Sequence, residues 1–503
     1  MTAVAFRLDA GPAIGLGHAM RCMALADALK SRGARTVFAA ALLPDVTAES
    51  LRARGHEFAP LAAPADAFAG DPESEWSAPA QQDDAAASAK ALARFGPLDW
   101  IVVDSYRLGR VWQRAMVGAA RHLAVIDDNA RRAHDCDLLI DHNVSAAHGQ
   151  YEDRLPLRAM QLLGPRFALL RAEFARRVPP RTGVTRVLVA LGGADATHET
   201  EKALDALAAP PLQSLAVDVV VGAANPRLDA IRARAARRGA AVHVDSERVA
   251  ELMERADVAL GAAGVSALER CAKALPSLLI VVADNQAPTA AALADCGAAL
   301  LLGSSSDVDA DRIARALAAL AALPDLVRRM SERAAEVCDG QGARRAAARL
   351  LGFDVRLRPA NTADSDDVLA WRNDETARRY AMDPGVIDAA RHAAWFAERM
   401  NDRDGALLIG EDDRGPVGVL RFDVRGDAAR VSVYLAPGRH GEGLGPVLLH
   451  AGQRWLRAQR PAVRRIDADV LAGNRASQLA FAEAGYIAHH ATLQRHLRTA
   501  DSP

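Results

Sequence analysis

Through its first 350 residues the chain alternates short, strongly apolar runs with longer alanine-rich stretches. Runs such as AVAFRL and VLVAL have the length of strands buried on both faces, while the intervening stretches have the length and alanine content of helices. The spacing predicts strands at 3–8, 36–40, 99–103, 122–126 and 137–141, then at 186–191, 216–221, 240–244, 257–260, 277–282 and 298–301. Strand alternating with helix is the pattern of a parallel sheet covered by helices, the α/β class, and the two groups of strands predict two such sheets. Between them, RRVPPRTGV pairs prolines and a glycine after a basic helix end, which reads as a linker over 156–184 separating a domain at 1–155 from one at 185–352. Residues 70–90 are polar and proline-bearing and read as a surface loop.

From about 353 the rhythm changes. A strand at 353–358 leads into helices rich in tryptophan and arginine, then strands at 406–411, 416–423 and 428–435 follow one another as an antiparallel meander. A glycine turn at 438–445, a helix to about 459, a strand at 464–470 and a helix from Asn474 complete an α+β domain over 353–503. The expected architecture is thus two Rossmann-like domains followed by a smaller α+β domain.

Composition narrows the function classes. A length of 503 residues fits about three domains, and 50% hydrophobic with 25% charged residues describes a globular chain. Sixty-two basic against 63 acidic side chains leave a net charge of -1, so no overall field recruits nucleic acid or an anionic membrane, and any anionic ligand must be held locally. The 5 cysteines are odd in number and form no CxxC pair, which fits a reducing compartment. With no apolar leader and no run of about twenty apolar residues, a cytoplasmic protein without membrane insertion is expected. Oligomeric state is not specified by any of these features.

Chemistry concentrates at strand ends. Strand 3–8 runs into Asp9 and a loop with Gly11, Gly15 and Gly17, which delivers His18, Arg21 and Cys22 onto the first turns of a helix. Ligands of open α/β sheets sit beyond the carboxyl ends of strands, and glycines let backbone amides come close. A histidine at the positive end of a helix is disfavoured in its protonated form and suits a general base; a helix-start residue with a satisfied hydrogen bond is the plainer alternative. In the second α/β half, strand 186–191 runs into Gly192, Gly193 and Asp195, and strand 257–260 into Gly261, Gly264, Val265 and Ser266, with Glu269 in the next helix. Small residues before a helix let N–H groups cradle a diphosphate, and a carboxylate one turn on can accept from ribose hydroxyls. Neither a Walker loop nor a GxGxxG fingerprint is present.

Together, RLDAGPAIGLGHAMRCMALADAL at 7–29, VVDSY at 102–106, VIDD at 125–128, LLGPRFALLRAEF at 162–174, LGGAD at 191–195, GAAGVSALERC at 261–271 and NQ at 285–286 carry a resemblance. The first 350 residues resemble the UDP-2,4-diacetamido-2,4,6-trideoxy-β-L-altropyranose hydrolase family of pseudaminic acid biosynthesis. The resemblance implies a glycosyltransferase-B-like (GT-B-like) fold related to MurG-type transferases, and release of UDP by attack of water at the anomeric carbon with inversion. It places the catalytic base on His18, while Asp9 orients His18 or a sugar hydroxyl. Gly17, Arg21, Tyr106, Gly193, Gly264, Val265, Ser266, Glu269, Asn285 and Gln286 then contact UDP or sugar. Asp128 is a further cleft residue, or, like Tyr106, a partner for loop backbone. Where Val265 stands a small polar residue is usual, so one phosphate contact is expected to be missing. No redox cofactor or metal is expected.

In the last domain, GRHGEGLGPVLLHAGQRWL places glycines at alternate positions before a helix, again an anion cradle, and GNRASQLAFAEAGY opens a helix at Asn474 that ends by Gly485. The pair resembles the GNAT N-acetyltransferase superfamily over 353–498. That resemblance implies acetyl-CoA as cosubstrate, held by His440, Gly441, Gly443, Leu444, Gly445 and Asn474. WRND at 371–374 and HAAWF at 392–396 sharpen it towards acetylation of the 4-amino group of a UDP-linked amino sugar, with Arg372, Asn373 and Trp395 as acceptor contacts. Phe481 stands where a thiolate-protonating tyrosine is common. Two other readings stay open: a glycosyltransferase passing sugar to an acceptor other than water, and a non-catalytic nucleotide-sugar module joined to a protein N-terminal acetyltransferase.

Overall fold

The computed structural model describes residues 2–11, 14–62, 68, 70–71, 73–146, 148–156, 159–193, 195–352, 355–412, 414–440 and 443–489. The chain divides into two compact units, Met1–Ala347 and Ala348–Pro503.

The first unit contains two parallel sheets. One is built from β1 (Ala3–Leu8), β2 (Arg35–Ala40), β3 (Glu57–Pro60), β4 (Trp100–Asp104), β5 (His122–Ile126), β6 (Leu138–Asp141) and β7 (Met160–Leu163), in the order β3-β2-β1-β4-β5-β6-β7. The other comprises β8 (Arg186–Ala190), β9 (Ala216–Val221), β10 (Ala241–Val244), β11 (Val258–Ala262), β12 (Ser277–Val281) and β13 (Ala299–Ser304), in the order β10-β9-β8-β11-β12-β13. All residues of β1, β4 and β11 are buried, as strands covered on both faces require. In each sheet the strand order reverses beside its first strand, between β1 and β4 and between β8 and β11, which opens a crevice at the carboxyl ends there. Both sheets are parallel and alternate with helices along the chain, as in Rossmann-like domains.

Three local expectations differ. β3 and β7 are only four residues each, EFAP and MQLL, too short to stand out as apolar runs. β7 lies within the expected linker, and so do Phe167, Leu169, Leu170, Phe174 and Arg181, all buried: 156–184 is packed structure rather than a tether. The expected loop at 70–90 turns helical at Ala78–Ala93. Its Pro79 sits in the first turn, where a missing N–H costs nothing, and Gln81, Ala85, Ser88 and Leu92 form the buried face. Two of those four are polar, which is why the stretch reads as a loop.

The second unit is one sheet of β14 (Arg356–Pro359), β15 (Gly405–Asp412), β16 (Gly415–Arg425), β17 (Ala428–Leu435) and β18 (Arg465–Ala468), in sequence order. Pairing is antiparallel up to β17 and parallel between β17 and β18. Alternate residues of β15 face opposite ways: Leu408 joins the core under helices Leu444–Gln459 and Arg475–Glu483, while Leu407 and Ile409 join Val368 and Phe396 of helices Ser365–Asn373 and Ala389–Asn401. The strand expected at 353–358 begins at Arg356; residues 353 and 354 lie outside the described residues.

Candidate active sites

The sheet register brings the first site together. β1 pairs with β4 so that Leu8 lies beside Asp104, and the helix Gly17–Lys30 that follows β1 turns His18, Arg21 and Cys22, at i, i+3 and i+4, towards that strand end. The Asp104 carboxylate accepts from His18 Nδ1 at 2.6 Å, from Arg21 Nε and Nη2 at 2.6 Å each, and from Cys22 Sγ at 3.4 Å. An ionised carboxylate only accepts, so the imidazole proton sits on Nδ1 and the lone pair on Nε2. Burial alone would raise the Asp104 pKa; the charge of Arg21 and the hydrogen bonds from Arg21 and His18 overcome it and hold the carboxyl well below its ordinary value. The arrangement orients the His18 ring through Nδ1 against an ionised aspartate.

Arg21 carries the network outward. Its Nη1 donates to Asp128 Oδ2 at 2.6 Å, and Tyr106 donates its hydroxyl to the other Asp128 oxygen. Against the effect of burial, Arg21, His142 and the Tyr106 hydroxyl keep Asp128 at about 2. Burial and the charge of Asp128 push Tyr106 far up, so it acts as a donor; its ring meets His18 edge-on at 5.2 Å. His142, buried at the end of β6, is pushed down to about 4 by burial and by Arg21, and is therefore neutral near pH 7.

Asp141 beside it accepts from Asn143 N at 3.0 Å and Tyr151 Oη at 3.0 Å, yet burial drives its pKa up from 3.8 to about 7. Between those values the folded chain keeps a proton that the unfolded chain has released, so this group makes stability fall as pH rises through that window. His142 contributes the opposite slope from its ordinary 6.5 down to about 4. Asp141→Asn, which mimics the protonated carboxyl, is expected to weaken the decline of Tm between about pH 4 and 7. Scanning calorimetry of the variant against the parent chain isolates the effect, because His142 is common to both.

Asp9 is not the partner of His18. Its Oδ2 accepts from Arg7 at 2.7 Å and its Oδ1 from the N–H groups of Ala41 and Leu42 at 2.8 and 2.9 Å, so it ties β1 to the end of β2. Arg7 in turn reaches Asp84 of the unexpected helix at 2.5 Å. Nearness to His18 in sequence points to Asp9; adjacency across the sheet selects Asp104.

In the second half, a cleft is lined by Gly17, Met20 and Arg21 from the His18 helix, Leu169 to Arg171 from the segment after β7, and Val265, Ser266 and Glu269. Five of the expected contacts, Gly17, Arg21, Val265, Ser266 and Glu269, are therefore brought together. Burial raises Glu269, with Arg171 and Arg270 pulling the other way. Gly264 opens the turn into the helix Ser266–Ala272, and Gln286 Oε1 accepts from Ala263 N at 3.3 Å, bracing that loop. Asn285 donates to Glu73 at 3.2 Å. Gly193 has a packing role: its carbonyl accepts from Gly222 N at 3.0 Å, and a Cβ on Gly222 would stand 2.9 Å from that oxygen. Neither Gly193, Asn285 nor Gln286 lines the cleft. Leu169, Leu170 and Arg171 lie in the LLGPRFALLRAEF run, where nothing in the residue types themselves marks a ligand contact.

In the second unit, Gly443 takes a left-handed φ of 78° immediately before the helix Leu444–Gln459. Its carbonyl accepts from Arg349, itself ion-paired with Glu483, and a Cβ at 443 would stand 2.8 Å from Arg349 Nη1, so only glycine fits. Gly441 lies outside the described residues; His440 is exposed. The Leu444 side chain lies in the core, which leaves only its backbone N–H for a ligand, and a Cβ at Gly445 would stand 3.5 Å from Ala480. Asn474 caps its helix by accepting from Ser477 N at 3.0 Å. β17 and β18 pair only as far as Val431 with Ala468, although β17 continues to Leu435.

The expected acceptor contacts brace the fold. Asn373 donates to Ile387 O at 2.8 Å and accepts from Ile387 N at 2.9 Å, using both ends of its amide; Arg372 donates to Asp383 O at 2.7 Å. Trp395 packs with Trp371 against the Val368 and Phe396 core. Phe481 is buried edge-on to Tyr486 at 4.9 Å. Tyr434, unremarked in the sequence, joins the Trp371 and Trp395 side of the sheet and is kept protonated by burial.

Residues 354–487 match the family described as acetyltransferase (GNAT) domain, so the second unit contains a GNAT domain. The chain is 32% identical over 144 residues to the spore coat polysaccharide biosynthesis protein SpsG of Bacillus subtilis (strain 168), covering 28% of this chain and 41% of that protein. Over 192 residues it is 36% identical to the UDP-N-acetylglucosamine--N-acetylmuramyl-(pentapeptide) pyrophosphoryl-undecaprenol N-acetylglucosamine transferase of Sorangium cellulosum (strain So ce56), covering 36% of this chain and 47% of that one. The chain thus spans less than half the length of either curated relative. The crystal structure of Acinetobacter baumannii MurG aligns with 70% of this chain and 99% of its own, at 14% identity and a TM-score of 0.47. Among the described residues no group of three or more His, Cys, Asp or Glu is placed to hold a metal ion, and no helix is long and apolar enough to cross a membrane.

Proposed function

We propose that the chain is a bifunctional nucleotide-sugar enzyme. Its first unit hydrolyses a UDP-linked diacetamido-trideoxy sugar of the UDP-2,4-diacetamido-2,4,6-trideoxy-β-L-altropyranose type to free sugar and UDP. Its GNAT domain acetylates the 4-amino group of the UDP-amino-sugar precursor with acetyl-CoA. The observation that carries the first half is the His18–Asp104 pair beside the cleft, with Nδ1 bound to the carboxylate at 2.6 Å. His18 Nε2 takes a proton from water as its oxygen attacks the anomeric carbon, the C1–O bond to UDP breaks, and the diphosphate leaves with the bonding pair. Ser266 and the amides of Gly264 to Ser266 receive the charge that develops on the departing phosphate. Attack from the face opposite UDP inverts the anomeric centre.

In the second unit, Gly443 and the start of the helix after it would hold the acetyl-CoA pyrophosphate, and Asn474 its arm. Acetyl-CoA supplies the activated acyl group; the chain orients a neutral amine against it. Phe481 has no proton to give, so the thiolate is protonated by water or by another side chain.

Relatedness to an N-acetylglucosamine transferase over 192 residues favours a second reading of the first unit, transfer of the sugar to an organic acceptor. The intact chain incubated with UDP-sugar and no acceptor separates the two. Multiple-turnover release of UDP is expected; release that requires an added acceptor supports transfer instead. Mass spectrometry of products from UDP-4-amino-4,6-dideoxy sugars and acetyl-CoA tests the second half, with an increment of one acetyl group expected.

A further inference from the structure

Arg270 stands out among the described cations with no exposed surface, the others being Arg7 and Lys273, and it differs too from the nearly buried Arg21, Arg181 and Arg349. Arg7 is paired with Asp9 and Asp84, Arg21 with Asp104 and Asp128, Arg349 with Glu483 and Lys273 with Glu254. Arg181 donates to Met253 O, Glu254 O and Ala256 O at the carboxyl end of the helix Val249–Arg255, where the helix dipole offsets its charge. Arg270 is wholly buried, and its partners are three neutral oxygens: Ala262 O at 2.5 Å, Ser266 Oγ at 3.1 Å and Ser277 Oγ at 3.1 Å. Among the described residues no carboxylate oxygen lies within 4.0 Å of its guanidinium. Glu269 on the same helix compensates the Arg270 charge only from a distance, with no direct ion pair, and a guanidinium taken out of water without a carboxylate in contact is costly, so a chain that does so either offsets the charge elsewhere or uses it.

Its position says which. Ala262 ends β11, Ser266 begins the next helix and Ser277 begins β12, so the three bonds clamp the loop 262–266 from behind. Gly261 makes the space: a Cβ there would stand 2.6 Å from Arg270 Nη1. Ser266 is also part of the cleft wall. Because its Oγ accepts from Arg270, the hydroxyl proton is directed away from the guanidinium, and no protein acceptor for it is present among the described residues.

We propose that Arg270 is the positioning residue of a phosphate-reading relay. Its guanidinium fixes the Ser266 oxygen as an acceptor, Ser266 donates its proton to a phosphoryl oxygen in the cleft, and the bound anion adds to the distant compensation from Glu269. The ligand chemistry is a nucleoside diphosphate or the phosphate end of a sugar nucleotide, and the inference rests on the nucleotide-sugar reading above. Arg270 never touches the ligand; its charge reaches it through Ser266 and through a desolvated loop, where electrostatic interactions are stronger than in water.

Titration calorimetry of the full-length chain with UDP, UMP and uridine tests it. Arg270→Met is expected to weaken UDP by roughly tenfold to a hundredfold, the scale of a hydrogen bond to a charged group, and to leave uridine unchanged. Arg270→Lys, which keeps the charge and loses the fork, should recover part of that loss. Ser266→Ala should show the same selectivity for phosphate, and the double variant Arg270→Met with Ser266→Ala should bind UDP no more weakly than the worse single variant, because the two act in series. If Arg270→Met does not fold, Ser266→Ala and Arg270→Lys carry the test. Equal losses for uridine and UDP, or effects that simply add, overturn the relay and leave Arg270 as a brace. Failure of the unaltered chain to bind UDP overturns the nucleotide reading itself, and the relay with it.

Discussion

His18→Ala is expected to lower UDP release from the sugar nucleotide by about a hundredfold to ten-thousandfold, the contribution of a positioned general base. Acetyl transfer by the GNAT domain should be unchanged, because His18 belongs to the first unit. The loss should fall on kcat more than on KM, since the imidazole acts on water rather than on the nucleotide. His18 is almost fully buried within the Asp104, Arg21 and Tyr106 network, so a small cavity accompanies the substitution. Circular dichroism melting of the variant separates that effect from chemistry: a kinetic loss with a native-like Tm supports the base. Equal loss of both activities would contradict the assignment and point to collapse of the chain.

Asp104→Asn is expected to be nearly as damaging, by about a thousandfold or more, for a different reason. The aspartate at 2.6 Å from Nδ1 fixes the tautomer with Nε2 as the acceptor. An asparagine amide can present a donor to Nδ1 instead, which moves the ring proton to Nε2 and removes the base without moving the ring; in serine hydrolases the same exchange costs about ten-thousandfold. Arg21 keeps Asp128 at 2.6 Å, so the surroundings are not left without charge compensation. Asp104→Glu retains the charge and changes the distance, and partial activity from it alone would favour the tautomer role over a purely structural one. Parallel pH–rate profiles should show the ionisation of the base in the parent chain and its loss in Asp104→Asn.

Much of this architecture is written in the sequence, and what is not has physical reasons. β1, β4 and β11 are continuous apolar runs, and their burial on both faces is why they can be read locally. β3 and β7 sit at the sheet edges, where fewer apolar residues are needed. His18 could be singled out because a glycine loop leads to it. Its partner could not, because Asp104 is 86 residues away and the pairing exists only through the register of β4 beside β1. A usable signal was nonetheless present: VVD, VIDD and LID end three successive strands of one sheet in carboxylates, where strand ends converge. Asp9 shows the reverse error, a carboxylate near the base in sequence whose oxygens are spent on Arg7 and on two backbone amides. In the second unit the Gly443 turn is legible from glycine spacing, whereas the loop clamped by Asn373 depends on a contact 14 residues along the chain.

The central claim, that His18 activates water against an anomeric carbon, is tested most directly by running the reaction in oxygen-18 water without an acceptor and analysing both products. The account predicts one heavy oxygen on C1 of the released sugar, unlabelled UDP, and an inverted anomeric signal in the first NMR spectra before mutarotation. Label in the β-phosphate of UDP would mean attack at phosphorus, and no UDP without an added acceptor would mean transfer; either result would contradict it.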